Sequence, residues 1–279
     1  MTSAKEISAM AGFGGFLQQV TPVVLTFNEA PNISRSLERL HCFDEVLVVD
    51  SGSTDETLKI VASFANTRVV TRPFDSFAGQ WNFALREGGI QTEWALAMDA
   101  DYILTDEFLA ELSALGPSDN AVAYRLAFDY CIFGRKLSAT LYPPIIALHR
   151  HKQVHYIQDG HCMRAQVVGT VGQLQSRVQH DDRKPLARWL ASQAKYADQE
   201  AALLLSKPAS ELRIQDRLRT LMVITPWLVP LYCMTVGRGA LDGWAGIYYA
   251  LQRGVAEAVL ALKLLEARLA SRQEKQQHD

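Results

Sequence analysis

Four short apolar runs, each closing on polar or acidic residues, constrain this chain more than any other feature. Residues 20–27 read Val-Thr-Pro-Val-Val-Leu-Thr-Phe and end in Asn28-Glu29-Ala30-Pro31-Asn32. Residues 45–50 read Glu-Val-Leu-Val-Val-Asp and run straight into Ser51-Gly52-Ser53-Thr54-Asp55. Val69-Val70 is a shorter run, and Trp94-Ala95-Leu96-Ala97-Met98 ends in Asp99-Ala100-Asp101. Helical patterns over 33–41, 55–65 and 79–88 separate them. Strands that are apolar almost throughout belong in a parallel sheet covered by helices on both faces, which predicts the α/β class. In open sheets of this kind ligands bind at the C-terminal strand ends, where the polar loops collect here.

The 279 residues are 48% hydrophobic and 21% charged, the balance of a globular chain. The net charge of −2 supplies no bulk field for nucleic acid. Cys42, Cys131, Cys162 and Cys233 lie far apart without metal-site spacing, so they are expected as free thiols in a reducing compartment. No secretory signal pattern is visible, which places the expected active part in the cytoplasm. A loose leader is expected over 1–19, a first α/β half over 20–115 and a second half over 116–210. In that second half, runs at 121–126 and 145–149 look like strands with no clear helix between them, and a helix is predicted over 185–205. An apolar helical region follows over 211–265, then a polar tail over 266–279 that is expected to fray.

Within the apolar region, residues 220–236 are only marginally long enough to span a bilayer, and Pro226 and Pro230 would break a straight helix. Arg213, Arg217, Arg219 and Arg238 flank the run. A core hairpin is one reading. The preferred one is an interfacial segment that meets anionic headgroups at the inner face of the cytoplasmic membrane.

The chemistry concentrates at the strand ends. Asp99 and Asp101 would repel unless a cation stood beside them, and Mg²⁺ or Mn²⁺ suits oxygen ligands and can bridge to a diphosphate. Asp50 can accept hydrogen bonds from a base or ribose, and Thr26, Asn28 and Glu29 follow the first strand. Ser53 or Asp55 would cap the next helix. Neither a glycine-rich dinucleotide fingerprint nor a phosphate loop is present, against a dehydrogenase or an ATPase. His149, His151 and His155, beside Arg150 and Lys152, read as surface charge. His180 opens His180-Asp181-Asp182-Arg183, either a helix-capping loop or a metal or diphosphate contact.

Together, Val24-Leu25-Thr26-Phe27-Asn28-Glu29, Val48-Val49-Asp50-Ser51-Gly52-Ser53-Thr54-Asp55, Gln80-Trp81-Asn82-Phe83-Ala84-Leu85 and Met98-Asp99-Ala100-Asp101 resemble the family-2 inverting glycosyltransferases of the GT-A fold. Leu141-Tyr142-Pro143-Pro144, Asp159-Gly160-His161 and His180-Asp181-Asp182-Arg183 extend the likeness toward lipopolysaccharide core β-1,4-glucosyltransferases, as does Leu241-Asp242-Gly243-Trp244. The resemblance implies a nucleotide-sugar donor, a UDP-hexose for this subgroup, and a glycan or glycolipid acceptor. It implies donor contacts from Thr26, Asn28, Glu29, Asp50, Ser51, Gly52, Gln80, Asn82 and Asp99. It implies a divalent metal on Asp101 with Asp99 and His180. Trp81 stands where relatives often carry a basic residue, and Cys162, after His161, where many carry Glu. The acid near the acceptor must then come from elsewhere, and Asp159 is the expected general base, with His161 to orient it or compete and Asp181 and Asp182 as further rivals. A polyprenyl-phosphate sugar transferase and a non-catalytic nucleotide-sugar-binding protein are the alternatives.

Overall fold

The computed structural model describes residues 15–116, 120–159, 162–208 and 210–278. β1 (Val20–Thr26), β2 (Val46–Asp50), β3 (Thr67–Thr71) and β4 (Trp94–Asp99) lie parallel in the order β3-β2-β1-β4. Every residue of β2 is buried, as a strand covered on both faces requires. The intervening helices are α1 (Ile33–Leu37), α2 (Thr57–Val61) and α3 (Phe77–Arg86). α1 is shorter than its periodicity predicts because the chain tightens into turns, with Arg39 N donating to Ser36 O and Leu40 N to Leu37 O. Ser76 caps α3 by accepting from Gly79 N at 3.0 Å. The helix α4 (Asp106–Ser113) was not expected. Thr105 caps it, and Asp106 and Glu107 face the positive end of its dipole.

Beyond β4 the sheet is mixed rather than parallel throughout. β8 (Ile145–Arg150) is antiparallel to β4 and to β6 (Ala121–Ile132). β6 runs parallel to β11 (Thr170–His180), and β5 (Tyr102–Ile103) closes the edge antiparallel to β11. Antiparallel neighbours need no crossover helices, which explains the helix-poor pattern of this stretch. β9 (Val154–Asp159) and β10 (Cys162–Val167) make a separate two-stranded ribbon.

The chain divides into two compact units. The first holds the sheet and runs to Arg183, apart from residues 135–140 and 159–162. No break falls at the 115/116 division expected from the sequence, since β6, β8 and β11 continue one sheet. Nor is the leader loose over residues 16–19. They form a helical turn with Phe16 and Leu17 buried, and the Phe16 ring meets Trp94 edge-on at 5.3 Å. Residues 1–14 lie outside the described residues.

The histidine prediction is corrected at two of three positions. β8 is an interior strand, so His149 is fully buried and its Nε2 lies 3.0 Å from the Tyr156 hydroxyl. His151 is buried with Nδ1 3.1 Å from Leu85 O, whereas His155 is exposed.

The second unit holds the short β7 (Arg135–Lys136) and the helices α5 (Leu186–Ser206), α6 (Ile214–Arg219), α7 (Thr225–Met234) and α8 (Trp244–His278). Ala197, Ala201 and Leu204 of α5 pack against Leu260 and Leu264 of α8. The expected frayed tail is instead the continuation of α8, whose Glu, Lys, Arg and Gln residues are good helix formers. Arg219 turns inward to Glu257 at 2.9 Å and Glu200 at 3.3 Å, which removes it from the basic flank read from the sequence.

Candidate active site

Strand register sets the site. Thr26 is opposite Asp50 across β1 and β2, and Leu25 is opposite Asp99 across β1 and β4, so three polar strand ends stand side by side. Asp50 is fully buried and organises the loop after it. Its Oδ2 accepts from Gly52 N and Ser53 N, both at 2.8 Å, while its Oδ1 accepts from Thr26 Oγ1 at 3.0 Å and from Ser53 Oγ. Gly52 has φ +92°, a conformation that side chains resist, and this lets the loop wrap back over the carboxylate.

Asn28 joins the first two loops. It sits at φ +55°, which Asn tolerates better than most residues, and its Oδ1 accepts from Thr54 N at 2.7 Å and Asp55 N at 3.2 Å. Its own N–H donates to Ser53 Oγ at 2.8 Å, and Glu29 N donates to Thr57 Oγ1 at 2.7 Å. Asp55 therefore anchors Ala30 N and Thr57 N instead of acting only as a cap.

α3 brings Gln80 under the same loops. Its Nε2 donates to Ser51 Oγ at 3.0 Å and to Arg72 O at 2.9 Å, and its Oε1 is buried without a hydrogen-bond partner among the described residues. Asn82 has a different task from the donor contact expected of it. Its Nδ2 donates to Tyr156 O at 2.8 Å and its Oδ1 accepts from Tyr156 N at 2.9 Å, so both ends of the amide clamp β9 to α3. Trp81 is buried and stacks on Tyr156 with ring centroids 5.7 Å apart.

At the end of β4, Asp99 is half-buried and Asp101 is buried. β11 delivers His180 to them, paired in register with Tyr102 of β5 and Tyr130 of β6. His180 Nε2 lies 3.3 Å from Asp101 Oδ2, and its buried Nδ1 has no hydrogen-bond partner among the described residues. Tyr142 and Tyr130 face the imidazole with centroids 4.7 and 4.8 Å away, and the Tyr102 and Tyr142 hydroxyls share a hydrogen bond of 2.5 Å. Burial opposes the charged imidazole, but Asp101, Asp99 and Asp182 outweigh it and hold the His180 pKa above its ordinary value. Burial and the Asp99 charge push the Tyr102 and Tyr156 hydroxyls up.

For a cation, this donor set is small. Among the described residues no group of three or more His, Cys, Asp or Glu could hold an ion by itself. Magnesium-type sites take one or two carboxylates and fill the remainder with water and substrate phosphates, and Asp101 beside Asp99 fits that type. The same Nε2 of His180 cannot both donate to Asp101 and bind metal, so only its orphaned Nδ1 fits a ligand role.

The 181–182 pair is mostly structural. Asp181 is buried, with Oδ2 held by Arg35 at 2.7 Å and Arg183 at 2.9 Å and Oδ1 accepting from Gly134 N at 3.1 Å. Its lone pairs are engaged, which argues against it as a base. Asp182 accepts from Asn32 Nδ2 at 2.9 Å, and Asn32 Oδ1 accepts from Arg183 N, tying the end of β11 to the loop after β1. Asn32 and Arg35 were missed from the sequence, where they read as an ordinary helix start. Asp159 ends β9, half-buried, 3.6 Å from the exposed Arg213. Gly160, His161 and the Cys162 side chain lie outside the described residues.

An α/β sheet that begins parallel and turns mixed, with acids on its central strand ends, is a GT-A-like arrangement. The chain belongs to glycosyl transferase family 2, whose pattern matches residues 22–164. It is 35% identical over 108 residues to an uncharacterized glycosyltransferase of Rickettsia bellii, covering 38% of this chain and 36% of that protein. It is 34% identical over 110 residues to the lipopolysaccharide core biosynthesis glycosyltransferase LpsC of Rhizobium meliloti, covering 37% of this chain and 40% of that protein. The chain thus spans well under half the length of these relatives. Among solved structures it is similar to S. aureus TarS in complex with UDP-GlcNAc, at 14% identity and TM-score 0.47 over 90% of this chain and 92% of that one. It is similar also to glucosyl-3-phosphoglycerate synthase from Mycobacterium tuberculosis, at 17% identity and TM-score 0.45 over 73% and 84%.

Proposed function

We propose that this glycosyltransferase moves a hexose from a UDP-sugar to a hydroxyl of a lipid-linked or cell-envelope glycan, with inversion at the anomeric carbon. One observation carries the reading: Thr26, Asp50 and Asp99 stand on adjacent parallel strand ends, with Asp101 two residues further on. Thr26 and Asp50 order the 51–55 loop, which with Asn28 and Glu29 forms the nucleoside side. Gln80 supports that loop from beneath. Asp99 and Asp101 face the ribose and diphosphate. Asp101, with Asp99 beside it, would hold a divalent ion, which would supply positive charge against the negative charge developing on the leaving diphosphate. Asp159 takes the acceptor proton as the new C–O bond forms and the anomeric C–O bond to the diphosphate breaks. A single displacement of this kind inverts the anomeric centre. The name of the LpsC relative supports a lipopolysaccharide-core type of acceptor.

The test is nucleoside diphosphate release from a panel of UDP- and GDP-sugars, with and without Mn²⁺, using cell-envelope glycolipid as acceptor. Release only with a UDP-hexose, Mn²⁺ and acceptor supports the reading. Equal release from a GDP-sugar, or release unaffected by chelation, overturns the donor or the metal assignment.

A further inference from the structure

In the second unit the helix α7 (Thr225–Met234) has no charged residue and is apolar on all sides. Helices of that composition belong in a protein core or in lipid, yet this one is largely uncovered. Trp227 is 78% exposed, and Leu228, Leu231 and Tyr232 are exposed with it. The surface continues through the following turn to Trp244, which is 83% exposed. The inner side of α7 is fixed rather than loose. A Cβ added at Gly254 of α8 would stand 3.2 Å from Pro230 Cγ and 3.3 Å from Pro226 O, so the two helices touch closely there.

Charge indicates what covers the outer side. From Arg217 to Arg253 the only acid is Asp242, which is buried and accepts from Ser138 N and Ser138 Oγ at 2.8 and 2.6 Å. Arg217 and Arg238, which flank this stretch in the sequence, are both exposed, and Arg217 also donates to Leu212 O and Ser210 O, each at 3.0 Å. Tryptophan and tyrosine at the rim of an apolar surface with arginine beside them match the layering of a bilayer interface. Length decides the depth. Ten helical residues reach about 15 Å, roughly half of a hydrocarbon core. Among the described residues no helix is long and apolar enough to cross a membrane.

We infer that α7 and the turn through Trp244 enter one leaflet of an anionic bilayer as a monotopic anchor, with Arg217 and Arg238 at the headgroup phosphates. This inference does not depend on the identity of donor or acceptor.

The experiment is co-sedimentation of the full chain with phosphatidylglycerol–phosphatidylcholine vesicles and with pure phosphatidylcholine vesicles, together with quenching of tryptophan fluorescence by brominated lipid. Binding to the anionic vesicles with quenching is expected. Trp227→Gln with Leu231→Gln alters only exposed side chains, so circular dichroism should match wild type while vesicle affinity falls at least about tenfold. Arg217→Gln with Arg238→Gln should lower affinity for the anionic vesicles about tenfold and bring it toward that for phosphatidylcholine, and added salt should act in the same direction. Three results would overturn the inference: no vesicle binding by the full chain, binding equal in wild type and in a folded Trp227→Gln/Leu231→Gln variant, or a dimer in solution whose tryptophans brominated lipid does not quench. The last would show a second copy of the chain on this surface.

Discussion

Asn28→Ala isolates the connection between the first two strand-end loops. The change removes an acceptor that holds Thr54 N at 2.7 Å and Asp55 N at 3.2 Å, and it leaves a Cβ-bearing residue without local compensation at φ +55°. Each lost hydrogen bond is worth about 0.5–1.5 kcal/mol, toward the low end here because the freed N–H groups reach water. The left-handed backbone adds about 1 kcal/mol or more for alanine. The sum is about 2–4 kcal/mol. Asn28→Gly removes the backbone part but not the hydrogen bonds, so about 1–2 kcal/mol is expected. Asn28→Asp keeps an acceptor and tolerates the left-handed region, so it should remain near wild type. Urea unfolding at pH 7 measures these differences. Calorimetric titration with UDP should show about tenfold weaker binding for Asn28→Ala, because the 51–55 loop loses its tether. A loss under about 0.5 kcal/mol for Asn28→Ala would refute the network, and equal losses for alanine and glycine would refute the backbone part.

Asp101→Asn should lower transfer at saturating Mn²⁺ by at least about 10²-fold while the fold is retained, and undiminished turnover would remove the metal from Asp101. Asp159→Asn should leave UDP binding intact and reduce transfer by about 10²–10⁴-fold, and near wild-type transfer would reduce Asp159 to a strand-end residue. Burial lowers the His149 pKa to about 3, below its ordinary 6.5, so the unfolded chain takes up this proton first; stability is full above pH 6.5 and falls toward pH 3 by about 1.4 kcal/mol per unit for this group. Urea midpoints between pH 7 and 5 should therefore fall less steeply in His149→Gln than in wild type, while His180, with its raised pKa, contributes the opposite slope in both proteins.

Much of the first unit was legible because a strand buried on both faces is apolar almost throughout. β1, β2 and β4 therefore appeared as continuous runs whose ends could be located, and the acids on those ends followed directly. The resemblance of the same runs to family 2 rests on these local strings, and the match over residues 22–164 bears it out. Beyond residue 265 the polar composition predicts a frayed tail, whereas α8 continues because its Glu, Lys, Arg and Gln residues favour helix.

What tertiary structure alone decided are the meetings of residues far apart in the chain. Arg35 reaches Asp181, Asn32 reaches Asp182, and His180 reaches Asp101, and these contacts separate a capping or ion-pairing role from a catalytic one. The same holds for Asn82, whose amide is engaged by the backbone of Tyr156, and for Arg219, whose charge is turned away from solvent by Glu200 and Glu257. A side chain's type sets which bonds it can form, and that much is written in the sequence. Which bond it does form depends on strand register and helix packing, and a shift of one residue in the register of β11 would turn His180 to the opposite face.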